Sequence, residues 1–140
     1  MDDTAIQTVD TFLQRVPYAR FLGMRVELAG DEMTAVLPFA QHLVGNPMLP
    51  ALHGGSTAAL LELTAVAQVA LLYPRLKPPR PINVTVAYLR SGRPVDVRAR
   101  ARISKAGRRV AHVEARAWQE DEDQPIAALS AHFLLAQHDL

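Results

Sequence analysis

The chain has 140 residues, the size of one domain, and is long enough to bury a hydrophobic core. Hydrophobic residues make up 49% and charged residues 21%, which is typical of a globular protein and argues against a disordered chain. Fifteen basic residues stand against 14 acidic ones, so broad nucleic-acid binding is not expected, and the lack of cysteine excludes disulfides, thiolate metal sites and a cysteine nucleophile.

The N-terminal part of the chain combines one helical pattern with alternating runs and prolines. Helical spacing of apolar residues predicts a short amphipathic helix, and strict alternation predicts strands. The predicted elements are a helix within 1–17 that Pro17 ends, a hairpin of strands at 24–28 and 33–37 about Gly30-Asp31, and an ordered loop with one helical turn over 38–52.

The C-terminal part reads as consecutive antiparallel strands. The predicted strands are 82–90, 95–103, 110–118 and 126–135, after a proline-rich connector over 74–81 that cannot continue a helix. The last strand is apolar on nearly both faces, which predicts a central or interface position in a sheet.

Between these parts lies the run GGSTAALLELTAVAQVALLY, residues 54–73. It is apolar on nearly every side, so we predict a long central helix that is buried rather than half-exposed. One sheet curling around it would cover about half of its circumference. A second subunit is therefore expected to cover the rest, which predicts a homo-oligomer.

Glu62 is the only charged residue in this run. A lone carboxylate in apolar surroundings is destabilising unless something compensates it, and proteins that keep such a group often use it in chemistry. The alternative is a carboxylate satisfied by a hidden partner, such as a buried arginine or Gln68. Position alone leaves both interpretations open.

The same run is long enough to cross a membrane. It contains Ser56, Thr57, Thr64 and Gln68 and is flanked by polar, strand-like sequence, so a buried helix of a soluble protein is the better prediction. The first ten residues are acidic and lack the pattern of a signal peptide. We expect a cytoplasmic protein without a membrane partner.

The triplet His-Gly-Gly at 53–55 lies where the loop enters the helix. The first N–H groups of a helix have no internal partner, and glycine lets a ligand approach the backbone closely. Such a site suits a carbonyl oxygen that becomes negative during acyl transfer. When the triplet is taken alone, a tight loop-to-helix turn is the better explanation.

Spacing decides which groups can act together. Gly55 and Glu62 are seven residues apart, so their backbones lie about 10 Å apart along a helix. A reacting carbonyl lies within about 3 Å of both its oxyanion donor and the attacking group. If the pair is catalytic, we expect an active site at a two-fold interface, where two antiparallel helices bring Gly55 of one copy near Glu62 of the other.

The pattern of Asn46, the triplet at 53–55, Glu62 and the later stretch INVTVAYLRSGRPVDVRARARISKAGRRVAHVEARAW resembles the hotdog-fold acyl-CoA thioesterases. The resemblance is to the PaaI-like branch, named for the phenylacetate-pathway thioesterase, and covers roughly residues 20–136. It implies an α+β hotdog fold in which a curved antiparallel sheet wraps a long central helix, in homodimers and often homotetramers.

The resemblance also implies roles for residues. The N–H of Gly55 would polarise the thioester carbonyl, and Glu62 would activate water or attack directly as a nucleophile. Asn46 would help to place the water or the carbonyl. Many relatives have aspartate at the position of Glu62, and the loop from Asn46 to His53 departs from the commoner pattern. We expect His53 to shape the turn rather than to act as a base.

The remaining candidates concern coenzyme A, which is part of the substrate, so no separate cofactor is expected. Its phosphates need basic or backbone donors, although solvated turn charges explain each basic residue individually. The five histidines show no metal-ligand spacing, so no metal site is expected. The predicted substrate-binding residues are Gly54, Thr57, Arg90, Ser91, Arg93 and Arg109.

The sequence thus predicts a single-domain thioester hydrolase over residues 1–140 that acts on an acyl-CoA. Three alternatives stay open. The first is a non-catalytic hotdog module that binds acyl-CoA, and the second is a hotdog hydratase, for which no convincing Asp-x4-His pair is found. The third is a structural role for Glu62 as an ion-paired core residue. The acyl group and the choice between dimer and tetramer are not predicted.

Overall fold

The computed structural model describes residues 3–29, 32–73 and 76–137. The helices are α1 (Asp3–Gln14), α2 (Pro17–Leu22) and α3 (Gly54–Leu72). The strands are β1 (Arg25–Ala29), β2 (Glu32–Leu37), β3 (Val44–Asn46), β4 (Ala51–Leu52), β5 (Leu76–Tyr88), β6 (Val97–Ala106), β7 (Val110–Trp118) and β8 (Ala127–Gln137). The predicted hairpin turn at 30–31, part of the predicted connector at 74–75, and both termini of the predicted domain lie outside the described residues.

Six strands form one antiparallel sheet in the order β1-β2-β6-β7-β8-β5, which packs against α3. The two short strands β3 and β4 pair separately, just before α3 begins. The predicted α+β fold, a long central helix wrapped by a curved antiparallel sheet, is confirmed. The central position predicted for the last strand is also correct, because β8 lies between β7 and β5.

Alternation along the strands separates the core from the outer face of the sheet. On β7, Ala111, Val113 and Ala117 are fully buried beneath α3, whereas the intervening side chains point outward. Small alanines on the inner face let the helix approach the sheet closely. The outer face is polar, and its arginines are ion-paired there, as Arg102 is with Glu114 at 2.7 Å.

The prediction of a connector over 74–81 is wrong for the part that the structure describes. Strand β5 begins at Leu76 and includes the segment PPRP before continuing to Tyr88. Proline cannot donate a hydrogen bond to a neighbouring strand, so it is tolerated where a strand has an edge without a partner. β5 pairs only with β8 and is the edge of the sheet. The helical turn predicted within the loop over 38–52 is present at Gln41–Leu43, but the prediction missed the β3–β4 pair.

The central helix is not buried on all sides within one chain. Leu60, Leu61 and Thr64 face the sheet and are fully buried. A stripe on the opposite side, centred on Glu62 and Val66, remains partly exposed. The sheet therefore leaves one face of α3 uncovered, as expected for a helix that a second subunit covers.

The neighbouring edge of the sheet is also uncovered and apolar. Ile82 and Val84 on the inner face of β5 are 54% and 38% exposed. Unpaired edge strands that expose apolar side chains are ready to pair with another chain. The open stripe of α3 and the inner face of β5 are thus two uncovered surfaces that belong to elements in contact with each other.

Helix α3 has the length and composition of a membrane span, and it is the only helix of that kind in the described ranges. Its buried face packs against strands β5, β6, β7 and β8. Core helices pass the same test of length and composition, and this packing identifies α3 as one.

We predict that Leu61→Ala lowers the free energy of unfolding by about 3 kcal/mol, because it leaves a cavity in a fully buried part of the core. Leu72→Ala is the matched control on the same helix; Leu72 is 54% exposed, so its loss is expected to change stability by about 0.5 kcal/mol or less. Urea unfolding at one protein concentration measures both. Equal losses for the two variants would contradict this position of α3.

Candidate functional site

His53 caps the N-terminus of α3. Its Nδ1 accepts a hydrogen bond from the N–H of Gly55 at 2.8 Å, and its backbone carbonyl accepts from the N–H of Ser56 at 3.0 Å. The hydroxyl of Ser56 donates to the same carbonyl at 2.7 Å. An Nδ1 that accepts a hydrogen bond belongs to a neutral imidazole with its proton on Nε2. The Gly55 N–H is thus occupied by a side chain of its own loop.

The two glycines of the triplet make room for two rings. A Cβ on Gly55 would lie 2.9 Å from Nδ1 of His53, and a Cβ on Gly54 would lie 3.0 Å from Cε1 of Tyr88. Both distances are shorter than ordinary van der Waals contact. Glycine is needed at these positions because two side chains approach the backbone closely.

Tyr88 was not predicted as a site residue. It ends strand β5, and its hydroxyl donates to the carbonyl oxygen of Gly54 at 3.1 Å. The two residues are 34 positions apart. The sequence predicted only that Tyr88 lies within the strand 82–90, which does not indicate how near the end of that strand lies to the helix.

A cavity of about 390 Å³ opens beside the N-terminus of α3. Among the predicted substrate-binding residues, Gly54, Thr57, Arg90 and Ser91 all line it, together with Tyr88. Its other walls are apolar side chains of strand β4 and of the segment that enters β8. A cavity with both apolar and polar walls beside a helix N-terminus suits an acyl thioester and its polar tail.

The other two predicted substrate-binding residues lie elsewhere. Arg93 lines a smaller adjoining cavity and is ion-paired with Glu120. This second cavity shares Arg90 and Ser91 with the first one. Arg109 precedes β7, at the end of the sheet opposite to Tyr88. Strand β7 has eight residue steps, so the end that Arg109 precedes and the end nearer to Tyr88 are about 27 Å apart. One chain therefore does not bring Arg109 to the cavity.

Glu62 has neither a hydrogen bond nor an ion pair with any residue that the structure describes. In the described residues, every buried side-chain oxygen or nitrogen has a hydrogen-bond partner. The carboxylate oxygens of Glu62 have none, so they are not buried and solvent reaches them. Glu62 is partly exposed on the open stripe of α3. The alternative of a carboxylate neutralised by a neighbouring cation or by Gln68 finds no support within one chain.

Gly55 and Glu62 share a face of α3. Seven residues are almost two full turns, so both project to the same side, about 10 Å apart along the axis. Glu62 does not line the cavity beside Gly54 in its own chain. The two positions thus lie on one side of the helix, but within one chain they are too far apart to act on one carbonyl.

Asn46 is exposed at the end of β3, before the tip of the β3–β4 turn. Its Oδ1 accepts hydrogen bonds from the N–H groups of Met48 at 2.9 Å and Leu49 at 3.4 Å. The side-chain carbonyl therefore builds the turn, and only the amide NH₂ is left to meet a ligand.

The outer face of the sheet holds a second cavity of about 380 Å³, lined by small side chains such as Ala87 and by the ion-paired Arg102 and Glu114. His112 and His132 lie nearby with their rings in contact at an angle of 34°, and the ring centroids are 4.7 Å apart. Across the described ranges, no three histidine, aspartate or glutamate residues are grouped so as to hold a metal ion. This face is on the far side of the sheet from α3.

Similarity to known proteins agrees with this arrangement. A family model described as an acyl-CoA thioesterase N-terminal domain matches residues 45–134. The X-ray structure of a thioesterase-superfamily protein has 30% sequence identity and a TM-score of 0.84, covering 94% of this chain and 98% of that chain. A Chromobacterium violaceum protein is 32% identical with a TM-score of 0.77, over 95% of this chain and 93% of that chain.

A phenylacetic acid degradation-related protein from Ralstonia eutropha shares the fold, with a TM-score of 0.73 at 19% identity over 90% of this chain and 98% of that chain. The curated proteins contain no match to this sequence. The protein belongs to the acyl-CoA thioesterase family of the hotdog fold, and the resemblance drawn from the triplet at 53–55 and Glu62 is confirmed at this level.

We predict that His53→Ala lowers the free energy of unfolding by about 1 kcal/mol, because the helix loses its N-cap. His53→Asn supplies a shorter acceptor that caps helices well, so it is expected to restore most of the loss. Thermal or urea unfolding of the three proteins tests the cap. Full stability of His53→Ala would show that the imidazole contributes nothing to the helix N-terminus.

Proposed function

We propose that the protein hydrolyses an acyl-CoA thioester to a free acid and coenzyme A, in a site shared by two copies of the chain. The observation that carries the proposal is the placement of Gly55 and Glu62 on one uncovered face of α3, with Glu62 lacking any partner in the described residues. Family membership supports thioesterase-type chemistry. The geometry of α3 supports the two-chain site.

A two-fold axis near Ala58 and Ala59 would produce the required juxtaposition. When two such helices run antiparallel and cross between residues 58 and 59, residue 55 of one copy faces residue 62 of the other. The two residues lie equally far from the crossing point along the helix. Small side chains at the crossing allow the helix backbones to approach closely. The apolar inner face of β5, with Ile82 and Val84 exposed, supplies further surface for the same partner.

The reaction follows from these positions. The thioester carbonyl oxygen would replace Nδ1 of His53 at the N–H of Gly55, which then stabilises the negative charge that develops on it. Glu62 of the second copy would remove a proton from the attacking water, and the leaving thiolate of coenzyme A would finally take up a proton. Direct attack by Glu62 would instead form an anhydride that water then opens.

Other residues have supporting roles in this proposal. The amide NH₂ of Asn46 would place the carbonyl or the water, and His53 shapes the turn. Arg90 and Ser91 would contact the polar tail of coenzyme A where the cavity opens. Antiparallel pairing of two β5 edges would bring the Arg109 end of one chain to the Tyr88 end of the other.

The finer assignments belong to the same proposal. The apolar part of the cavity wall would take a PaaI-like substrate with an aromatic or medium-length acyl group. A homodimer is the smallest assembly that completes the site, and a dimer of dimers would contain two such pairs. We further propose a cytoplasmic location and chemistry that needs no cofactor beyond the coenzyme A of the substrate.

One observation favours a second candidate function. In the free protein the N–H of Gly55 is occupied by His53, and Oδ1 of Asn46 is engaged in its own turn. A module that binds acyl-CoA without hydrolysing it would tolerate both arrangements. Tight binding of acyl-CoA without thiol release, across acyl groups of different length, would favour that function.

We predict that Glu62→Gln lowers kcat for acyl-CoA hydrolysis at least about 100-fold, because the amide can neither take up a proton nor attack. Free thiol release from a panel of acyl-CoA substrates measures the rate. Glu114→Gln on the outer face is the matched control, since that half-buried carboxylate is paired with Arg102 and is remote from the cavity. Unchanged turnover in Glu62→Gln would remove the mechanism.

The two-copy site makes a separate prediction about assembly. Val84→Asp introduces a charge on the apolar inner face of β5, where it is harmless in a monomer but desolvated in a dimer. We expect this variant to sediment as a monomer and to lose hydrolysis. Thr85→Asp changes the next residue, which faces the outer side of the sheet, and is expected to remain dimeric. A dimer that persists in Val84→Asp would contradict the proposed interface.

A further inference from the structure

The peptide group between Gly54 and Gly55 is held at both ends. At one end, the hydroxyl of Tyr88 donates to the carbonyl oxygen of Gly54 at 3.1 Å. At the other end, the N–H of Gly55 donates to Nδ1 of His53 at 2.8 Å. The carbonyl and the N–H belong to one planar unit, so fixing the oxygen also fixes the direction of the N–H.

We propose that Tyr88 is a positioning residue for the thioester carbonyl: its hydroxyl orients and polarises the peptide whose N–H the substrate meets. Hydrogen bonds in a chain polarise one another, so a donor at the carbonyl oxygen strengthens the N–H as a donor. The inference rests on the proposed function, in which the substrate oxygen takes the place of His53. Tyr88 keeps its hydrogen bond throughout.

The surroundings of Tyr88 fit this role. Its ring lies against Gly54, where a Cβ would come within 3.0 Å of Cε1 and 3.2 Å of Cζ. The side chain is 59% exposed, so it adds little to the core, and it lines the cavity beside the helix N-terminus. Within the described residues, the bond to Gly54 is the only hydrogen bond of its hydroxyl.

The position of Tyr88 links the site to the open edge of the sheet. Strand β5 ends at Tyr88 after passing Ile82 and Val84, the side chains that we assign to the interface with a second copy. Pairing of β5 with another chain would hold the strand in place and, with it, the tyrosine ring. The oxyanion donor of one copy is thus supported by an element that the second copy steadies.

Tyr88→Phe keeps the ring against Gly54 and removes only the hydroxyl. We expect kcat for acyl-CoA hydrolysis to fall about tenfold with KM within about twofold, since the lost interaction matters most when charge develops on the oxygen. Tyr18→Phe is the matched control, because Tyr18 is similarly exposed at 51% and stacks on Phe21 in α2. Melting temperatures of both variants should equal that of the wild type.

An increase in KM at unchanged kcat would overturn the inference, because it would make Tyr88 a binding contact only. A kcat within twofold of the wild type would overturn it as well. Glu62→Gln in the same assay separates this failure from that of the proposed function. If Glu62→Gln is inactive while Tyr88→Phe retains full kcat, the hydrolase stands and the role of Tyr88 does not.

Binding of two substrate analogues tests Tyr88 without turnover. A ketone analogue with CH₂ in place of sulfur keeps the carbonyl, whereas a thioether analogue with CH₂ in place of the carbonyl lacks it. We expect Tyr88→Phe to weaken the ketone analogue about fivefold and to leave the thioether unchanged, by calorimetric titration. Equal affinities of wild type and variant for the ketone, or equal losses for both analogues, would overturn the inference.

Discussion

Gly55 and Glu62 lie on the same side of one helix and are separated by about 10 Å along its axis. This constraint determines how the rest of the protein can work. A helix cannot shorten itself, so the donor and the carboxylate meet only when a second helix runs past the first in the opposite direction. The sheet leaves that face of α3 open, and β5 leaves an apolar edge beside it. Under the proposed function, the open face of α3 and the distance between the two groups both call for a second copy of the chain.

The N-terminus of α3 shows how the free protein protects such a site. An unoccupied N–H at a helix start is unsatisfied, and His53 removes that deficit by accepting its hydrogen bond. Under the proposed function, the substrate carbonyl would replace Nδ1 of His53 as the acceptor for this N–H, so no donor would be left unsatisfied. Because Tyr88 holds the opposite end of the same peptide group, the N–H keeps its direction while its acceptor changes.

Much of the fold could be predicted because it depends on local patterns. Strand β7 was predicted with the bounds that the structure has, since alternation over 110–118 is strict and both ends carry turn signals. Strand β5 was predicted six residues too short at its start, because prolines usually end strands and only the sheet order reveals that β5 is an edge. The partial exposure of α3 agrees with the expectation that one sheet covers only part of a helix that is apolar on nearly every side.

The candidate site likewise contains some residues that the sequence could predict and others that it could not. The helix start at Gly54 and Thr57 is readable from glycine and capping chemistry, and Arg90 and Ser91 follow a strand end that lies beside it. The contact from Tyr88 joins positions 34 apart, and its existence depends on where β5 stops relative to α3. Arg109 is a turn residue like Arg93, and only the three-dimensional path of β7 places it at the other end of the sheet.

Complementation between two inactive variants tests the shared site most directly. Gly55→Pro removes the N–H at a position in the first helical turn, and Glu62→Gln removes the carboxylate chemistry. In randomly mixed dimers, about one quarter of the sites would combine an intact Gly55 from one chain with an intact Glu62 from the other. The mixture should therefore recover about one quarter of the wild-type rate. Heterodimers that form but show no more hydrolysis than either parent would contradict an active site shared between two chains.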